Sequence, residues 1–341
     1  MSAARPVLLP LLALFALPPS ARGQQVPDTT YRYPIPAPAH ARGTGPRVCV
    51  DAAHHNFHTS DGRYRPFALL LEQDGYVVAG TQAPFDSAAL RDCSVIVIAN
   101  ARAAGQGSGY PDLPAFRQAE LDSLFGWVRA GGALLLIADH PPFAGAAAGL
   151  AALLGFASLD GYAGPSPDSP NGVMVFGALD EDALRRSDEE SGIPHAQFRR
   201  LIGQPGRLAE HPILRGRNAR ESITTVVTFT GHAFHPARDV LPLLVLGPEA
   251  TGVAVIGGNA REARPEEYPL FPLAGWLQGG TRRVAKGRVV MLGEAALCSA
   301  QLAGARRIPM GMNMPFAAQN AQFCLNVVHW LTGLLDPPPA G

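Results

Sequence analysis

The sequence predicts an α/β fold built on a doubly wound, mainly parallel sheet, on three observations. Short apolar runs rich in branched residues recur at 48–50, 94–99 (S-V-I-V-I-A), 133–138 and 288–292. Runs of that length without a polar break read as strands buried on both faces, as parallel strands are. In the first half of the chain, segments of helical spacing follow the runs in four successive β-α steps, which right-handed crossovers wind onto both faces of one sheet. The runs at 48–50, 94–99, 133–138 and 288–292 also lead into polar residues, Asp51, Asn100, Asp139 and Glu294. Sheets of this kind place ligands beyond the carboxyl ends of their strands.

Taken in order, residues 1–23 read as a secretory signal. Arg5 supplies the positive start, residues 7–17 an apolar run broken by Pro10, and Ala21 and Gly23 the small residues that a signal peptidase reads. The run falls short of the roughly 20 residues that span a bilayer. A mature chain starting near Gln24 is therefore expected, periplasmic or secreted, with no stable membrane anchor. Residues 24–46 are rich in Pro, Ala and Arg without periodicity and read as a flexible lead-in. Residues 47–335 read as a single α/β domain with an insertion at 156–220, and 336–341 as a tail.

Within the domain the first strand stops at Asp51, and His54, His55 and His58 follow. A helix over 63–74 carries Phe67, Leu70 and Leu71 at helical spacing and closes at Gly75. A second strand covers 76–79, and Asp86 caps a brief helix. The third strand, 94–99, ends at Asn100 before a Gly-rich loop over 101–113. The helix over 114–130 buries Phe116, Leu121, Leu124, Phe125 and Val128 and stops at Gly131-Gly132. The fourth strand delivers Asp139-His140-Pro141-Pro142, and a helix of small residues spans 144–154. The insertion holds an acidic run over 180–190 and His195, and reads as short helices, in the manner of a lid. Strands return at 223–230, 243–246, 253–256 and 288–292, and a helix over 315–335 packs back through Phe316, Phe323, Val327 and Trp330.

Composition limits the function. The 341 residues are 47% hydrophobic and 16% charged, which describes a globular chain. Lys plus Arg and Asp plus Glu number 28 each, so no net field favours nucleic acid as a partner. Cys49, Cys93, Cys298 and Cys324 have no C-x-x-C spacing, against a zinc knuckle or a thioredoxin-type motif. Cys49 and Cys93, in or beside strands, read as small buried hydrophobes. Whether Cys298 and Cys324 pair stays open.

Asp51, Asn100, Asp139 and Glu294 are expected on one rim, with His54, His55 and His140 beside them. Crowded carboxylates repel one another, raising a pKa or recruiting a cation. Imidazoles with carboxylates suit zinc, iron or manganese, and such an ion activates water. Asp51, His54 and His55 are thus candidate ligands of a divalent metal such as zinc. Asp139, His140 and Glu294 are candidate catalytic groups, while the amides of Asn100, Asn313 and Gln319 would hold a small polar molecule or carbohydrate. Capping of the following helices is the competing job for Asp51 and Asp139. The H-H-N-F-H segment lacks the Glu that makes H-E-x-x-H persuasive. His232 and His235 could join the site but read more readily as loop-stabilising groups, and the methionines of 310–314 could line a pocket but read more readily as packing. No G-x-S-x-G elbow and no P-loop occurs.

The order of three motifs carries a resemblance: G-G-A-L-L-L-I-A-D-H at 131–140, H-P-I-L-R-G at 211–216 and G-R-V-V-M-L-G-E at 287–294. The chain resembles the class I glutamine amidotransferase-like superfamily over residues 48–335. It is more closely similar to exported bacterial members of unknown function that begin with a D-x-x-H segment and lack the catalytic Cys. The resemblance implies a flavodoxin-like three-layer fold. Active amidotransferases place a Cys in the turn after a central strand and a His-x-Glu pair late in the chain. Here Asp139-His140 occupies that turn and no late His-x-Glu exists, so hydrolysis of glutamine by a thiolate is not expected. Two functions stay open: a metal-assisted hydrolase of a small polar or carbohydrate substrate, and a non-catalytic module binding a sugar or peptide on the same rim.

Overall fold

The apolar runs of the first half pair with one another, because a strand buried on both faces satisfies its backbone only through neighbouring strands. The computed structural model describes residues 25–105, 113–169, 172–191, 202, 205–254 and 269–337. The expected signal segment, most of the Gly-rich loop, His195 and residues 338–341 lie outside them. Strands Arg47–Asp51 (β1), Val77–Thr81 (β2), Val95–Ala99 (β3) and Ala133–Ile137 (β4) are followed by Phe156–Ser158 (β5), Arg207–Leu208 (β6) and Phe234–Pro236 (β7). Leu241–Val245 (β8), Leu277–Val284 (β9) and Gly287–Leu292 (β10) complete a ten-stranded sheet. Its order is β2-β1-β3-β4-β10-β9-β7-β5, with β8 also on β9 and β6 on β8. The first five strands of that order run parallel, and β9 turns antiparallel against β10. The parallel half has the flavodoxin-like order, in which the winding reverses between β1 and β3.

Alternation along each strand divides the core in two. Val48, Val50, Val95, Val97, Leu135 and Ile137 face one side with Phe67 and Leu71 of helix Arg65–Gln73 (α1). Cys49, Ile96, Ile98, Leu134 and Leu136 face the other. That side packs on helices Ser87–Leu90 (α2), Gln118–Ala130 (α3) and Phe143–Leu153 (α4) through Leu90, Leu124, Val128 and Leu150. Beyond Glu181–Ser191 (α5) and Pro212–Arg215 (α6), the helix Asn320–Leu331 (α7) joins α1 through Phe323, Val327 and Val328. A buried pair fastens those two helices, His329 Nε2 lying 2.6 Å from Asp74 Oδ2. Three layers result, and the fold is a flavodoxin-like α/β fold.

Several expectations need correction. Residues 25–46 are no free lead-in: Val26–Pro27 pairs with Gln301 and Leu302, and Tyr31, Tyr33 and Ile35 pack against the core. A Pro-rich segment has no helical or strand period, yet its side chains still bury apolar surface. The span 156–220 contributes strands as well as helices, including β5 of the main sheet and Met174–Gly177, which pairs with Thr225–Thr228. Strand β9 was not expected. Its Gly279 lacks the side chain that would make a pattern, and a Cβ there would lie 2.8 Å from Leu244 Cγ.

All four cysteines are paired. Cys298–Cys324 resolves the open question, and Cys49–Cys93 replaces the expected pair of separate hydrophobes. The bridges join residues 26 and 44 positions apart. Replacing both members of either bridge by alanine is expected to lower the unfolding free energy by about 2–4 kcal/mol, through the freer unfolded chain. Urea unfolding without reductant measures it, and an unchanged midpoint would refute a stabilising role.

Candidate functional site

The parallel register brings four strand tips to one edge. Val50 is paired with Val97, Ala99 with Ile137, and Ile137 with Leu292. Asp51, Asn100, Asp139 and Glu294 therefore leave the sheet along a common rim. Asn100 turns there with φ of 60°, a left-handed conformation that Asn tolerates better than most residues. The turn aims its buried amide along the rim. Oδ1 accepts the Asp139 N–H at 2.9 Å, and Nδ2 lies 3.4 Å from His58 Nδ1.

Glu294 is buried and folds back over its own turn, accepting the N–H groups of Ala296 and Leu297 on its two carboxyl oxygens. Burial, then the charge of Asp139, pushes its carboxyl well above the usual range, against the N–H groups of Ala296, Leu297 and Phe229. Asp139 is more open, its side chain 13% exposed. The rim thus carries two interacting carboxyls in unlike surroundings. His140 stacks on Tyr162 with ring centroids 4.7 Å apart, and its Nε2 lies 3.9 Å from Asp139 Oδ1.

His232 joins this group, although stabilising its loop was the favoured of its two readings. A Cβ at Gly231, where φ is 118°, would lie 2.3 Å from the Gly293 carbonyl oxygen, and a Cβ at Gly293 equally close to that of His232. Two glycines therefore let the loop after Thr225–Thr228 lie flat on the tip of β10. The His232 ring is fully buried, and neither nitrogen has a hydrogen bond of good geometry among the described residues, although the Ala138 and Gly293 carbonyls lie near. Burial, partly offset by Asp139, pulls it down to about 4, so it is neutral at physiological pH.

His58 and Tyr64 were also missed. Burial, then the Arg63 charge, pulls His58 down to about 3, and its Nε2 is buried without a hydrogen-bond partner among the described residues. Its ring lies 4.7 Å from that of Tyr64, whose hydroxyl donates to the Ala295 carbonyl at 2.9 Å. Burial and the charges of Glu294 and Asp139 keep that phenol protonated. The one sequence signal for His58 was its place as third histidine of the loop after β1.

The expected metal ligands form a different structure. His54 Nδ1 is 2.8 Å from Asp51 Oδ2 and its Nε2 is 2.9 Å from Glu120 Oε1, so both ring nitrogens are engaged. Asp51 also accepts the N–H of Ala53 and the amide of Asn56. His55 is exposed. Asp51, His54 and His55 are therefore no donor set, and no cluster of three His, Cys, Asp or Glu residues among the described ones has the arrangement to hold a metal. Burial disfavours a charged His54, but the two carboxylates outweigh it and raise its pKa. Glu120 was overlooked, although Glu at the third position of a helix is a capping signal; it accepts the Arg117 N–H at 3.0 Å.

Asn313 and Gln319 likewise serve the fold. The Asn313 amide donates to Asp28 Oδ2 at 3.2 Å and to the Gln301 carbonyl at 3.0 Å, holding the N-terminal segment. Gln319 Oε1 accepts the N–H groups of Thr224 and Thr225, both at 2.8 Å. Of the three amides expected to bind substrate, only Asn100 stands on the rim.

No family model matches this chain, and no curated protein matches it in sequence. Solved structures match it in shape. The mmIFT52 N-terminal domain superposes with a TM-score of 0.51 at 12% identity, covering 84% of this chain and 97% of that one. A ThuA-like protein from Bacteroides uniformis gives 0.42 at 12% identity over 88% and 94%, and the cytoplasmic protein STM1381 of Salmonella typhimurium 0.42 at 14% over 84% and 98%. At these identities the likeness is one of fold.

Proposed function

We propose that the protein is an exported hydrolase that holds a small polar or carbohydrate substrate on the rim formed by the tips of β1, β3, β4 and β10. The observation that carries the reading is the Asp139–Glu294 pair. Two carboxyls that interact in unlike surroundings divide acid and base roles between them. In this reading Asp139, the more open one, takes a proton from water as the water oxygen attacks the scissile carbon. Glu294, held protonated by burial, gives its proton to the departing oxygen or nitrogen. Asn100 fixes the backbone of Asp139, and His232 stays neutral beside it. Metal assistance at Asp51, His54 and His55 forms no part of this proposal, because His54 spends both ring nitrogens on carboxylates.

Export is supported by the pairing of all four cysteines, which persists in oxidising compartments. A second reading, the non-catalytic binding module, is favoured by the turn-capping bonds of Glu294, which are a structural task. Assaying the mature protein against small chromogenic esters, N-acyl amides and glycosides separates the two. The hydrolase reading expects turnover of one class. If none is cleaved while a sugar binds saturably, the module reading replaces it.

A further inference from the structure

We infer that Arg63 and Arg102 form an oxyanion-binding pair beside the Asp139–Glu294 rim, so that the substrate carries a carboxylate or phosphate group. The inference deepens the function proposed above and rests on it for the word substrate. It starts from topology. The loop after β1 and the loop after β3 part where the winding of the sheet reverses, the place where doubly wound sheets bind ligands. Arg63 comes from the first loop and Arg102 from the second.

Local bonds hold the two loops together. Phe57 N–H donates to the Asn100 carbonyl at 2.9 Å, and the Arg102 N–H donates to the His54 carbonyl at 2.9 Å. The Arg63 guanidinium lies over the Phe57 ring, 3.7 Å from its centroid. Neither arginine has a carboxylate partner among the described residues, whereas Arg65, Arg117, Arg217, Arg282 and Arg288 each have one. Both are half-buried, and Arg63 Nε is a buried donor with no acceptor among the described residues. His58 Nε2 is buried without a hydrogen bond among the described residues, and the Arg63 charge reaches its ring. Burial and the charge of Arg102 both work against the charged form of Arg63. Two cations left near each other without a counter-charge are costly unless an anion joins them. The planar guanidinium fork suits carboxylate and phosphate oxygens.

The pair adjoins the rim. Tyr64 follows Arg63 and senses the charges of both Glu294 and Asp139, and Asn100 touches both His58 and Asp139. An anionic group on the arginines would hold a substrate with its scissile bond over the carboxyls.

The test titrates the full mature protein with inorganic phosphate, with glucuronate as a sugar carboxylate, and with glucose as the neutral control. Saturable binding of phosphate or glucuronate, and not of glucose, is expected. Arg102→Gln and Arg63→Gln should each weaken it at least about tenfold, the scale of a lost charge-assisted hydrogen bond. Arg282→Gln, an arginine of β9 paired with Asp239 and outside the two loops, should leave it within about twofold. Phosphate alone or glucuronate alone would assign the oxyanion. No saturable binding of either, or equal affinity in a folded Arg102→Gln variant, overturns the inference. Binding without turnover would leave the anion site standing and remove the hydrolase.

Discussion

Replacing His54 by alanine is expected to lower the unfolding free energy by about 3–5 kcal/mol, the usual effect of removing one member of a buried ion pair. Asp51 and Glu120 would be left facing each other across a gap without the cation that separates them. The lost ring also packs against Phe85 and Phe116, with centroids 4.6 and 4.8 Å away, so a cavity adds to the loss. The pH dependence identifies the cause. His54 is raised above its ordinary 6.5, so its contribution is complete below that value and is lost as pH rises through the raised one. For Glu120, burial is outweighed by Arg117 and His54, which pull it from 4.5 down to about 2. Its contribution is present above 4.5 and is lost as pH falls through about 2. The gap between wild type and variant should therefore be widest between pH 4.5 and 6.5 and narrow on both sides. Urea denaturation at a series of pH values measures it. A gap under about 1 kcal/mol, or one that does not vary with pH, would mean that the triad does not hold the loop.

The parallel half of the sheet was legible because β1, β3, β4 and β10 bury both faces, and unbroken runs such as V-I-V-I-A have few other uses. The rim followed from it, since strands read with their direction place Asn100, Asp139 and Glu294 together. What each side chain does there depends on partners far along the chain. Glu120 lies 66 residues from His54, and no local pattern announces that it will take the second ring nitrogen. His232 reaches the rim through the close approach of Gly231 to Gly293, a backbone contact that leaves no hydrophobic period. Strand β9 escaped for a related reason, its glycines answering to the bulk of Leu244 and Val240 opposite. The arginine pair emerges only when two loops, read separately, prove to be neighbours.

Asp139→Asn is expected to lower kcat by about 10²–10⁴-fold on whichever substrate class the wild type cleaves, the range for losing a positioned general base. Glu294→Gln should cost a comparable factor by removing the proton donor. The pair should not be additive, because neither group works without the other. The shape of the pH profile distinguishes chemistry from simple damage. Burial, then the Asp139 charge, holds the Glu294 proton to higher pH than an ordinary carboxyl. The wild-type rate, which needs that proton, should fall as pH rises through the raised value. In Asp139→Asn the charge is gone and burial remains, so the alkaline limb of the residual activity should move to lower pH. In Glu294→Gln that limb should vanish. A variant that merely loosened the turn at Ala296 and Leu297 would lose rate at every pH alike and leave the limb in place. A limb that stays put in a folded Asp139→Asn would show that the Asp139 charge does not act on the Glu294 proton, and the division of acid and base between them would fall.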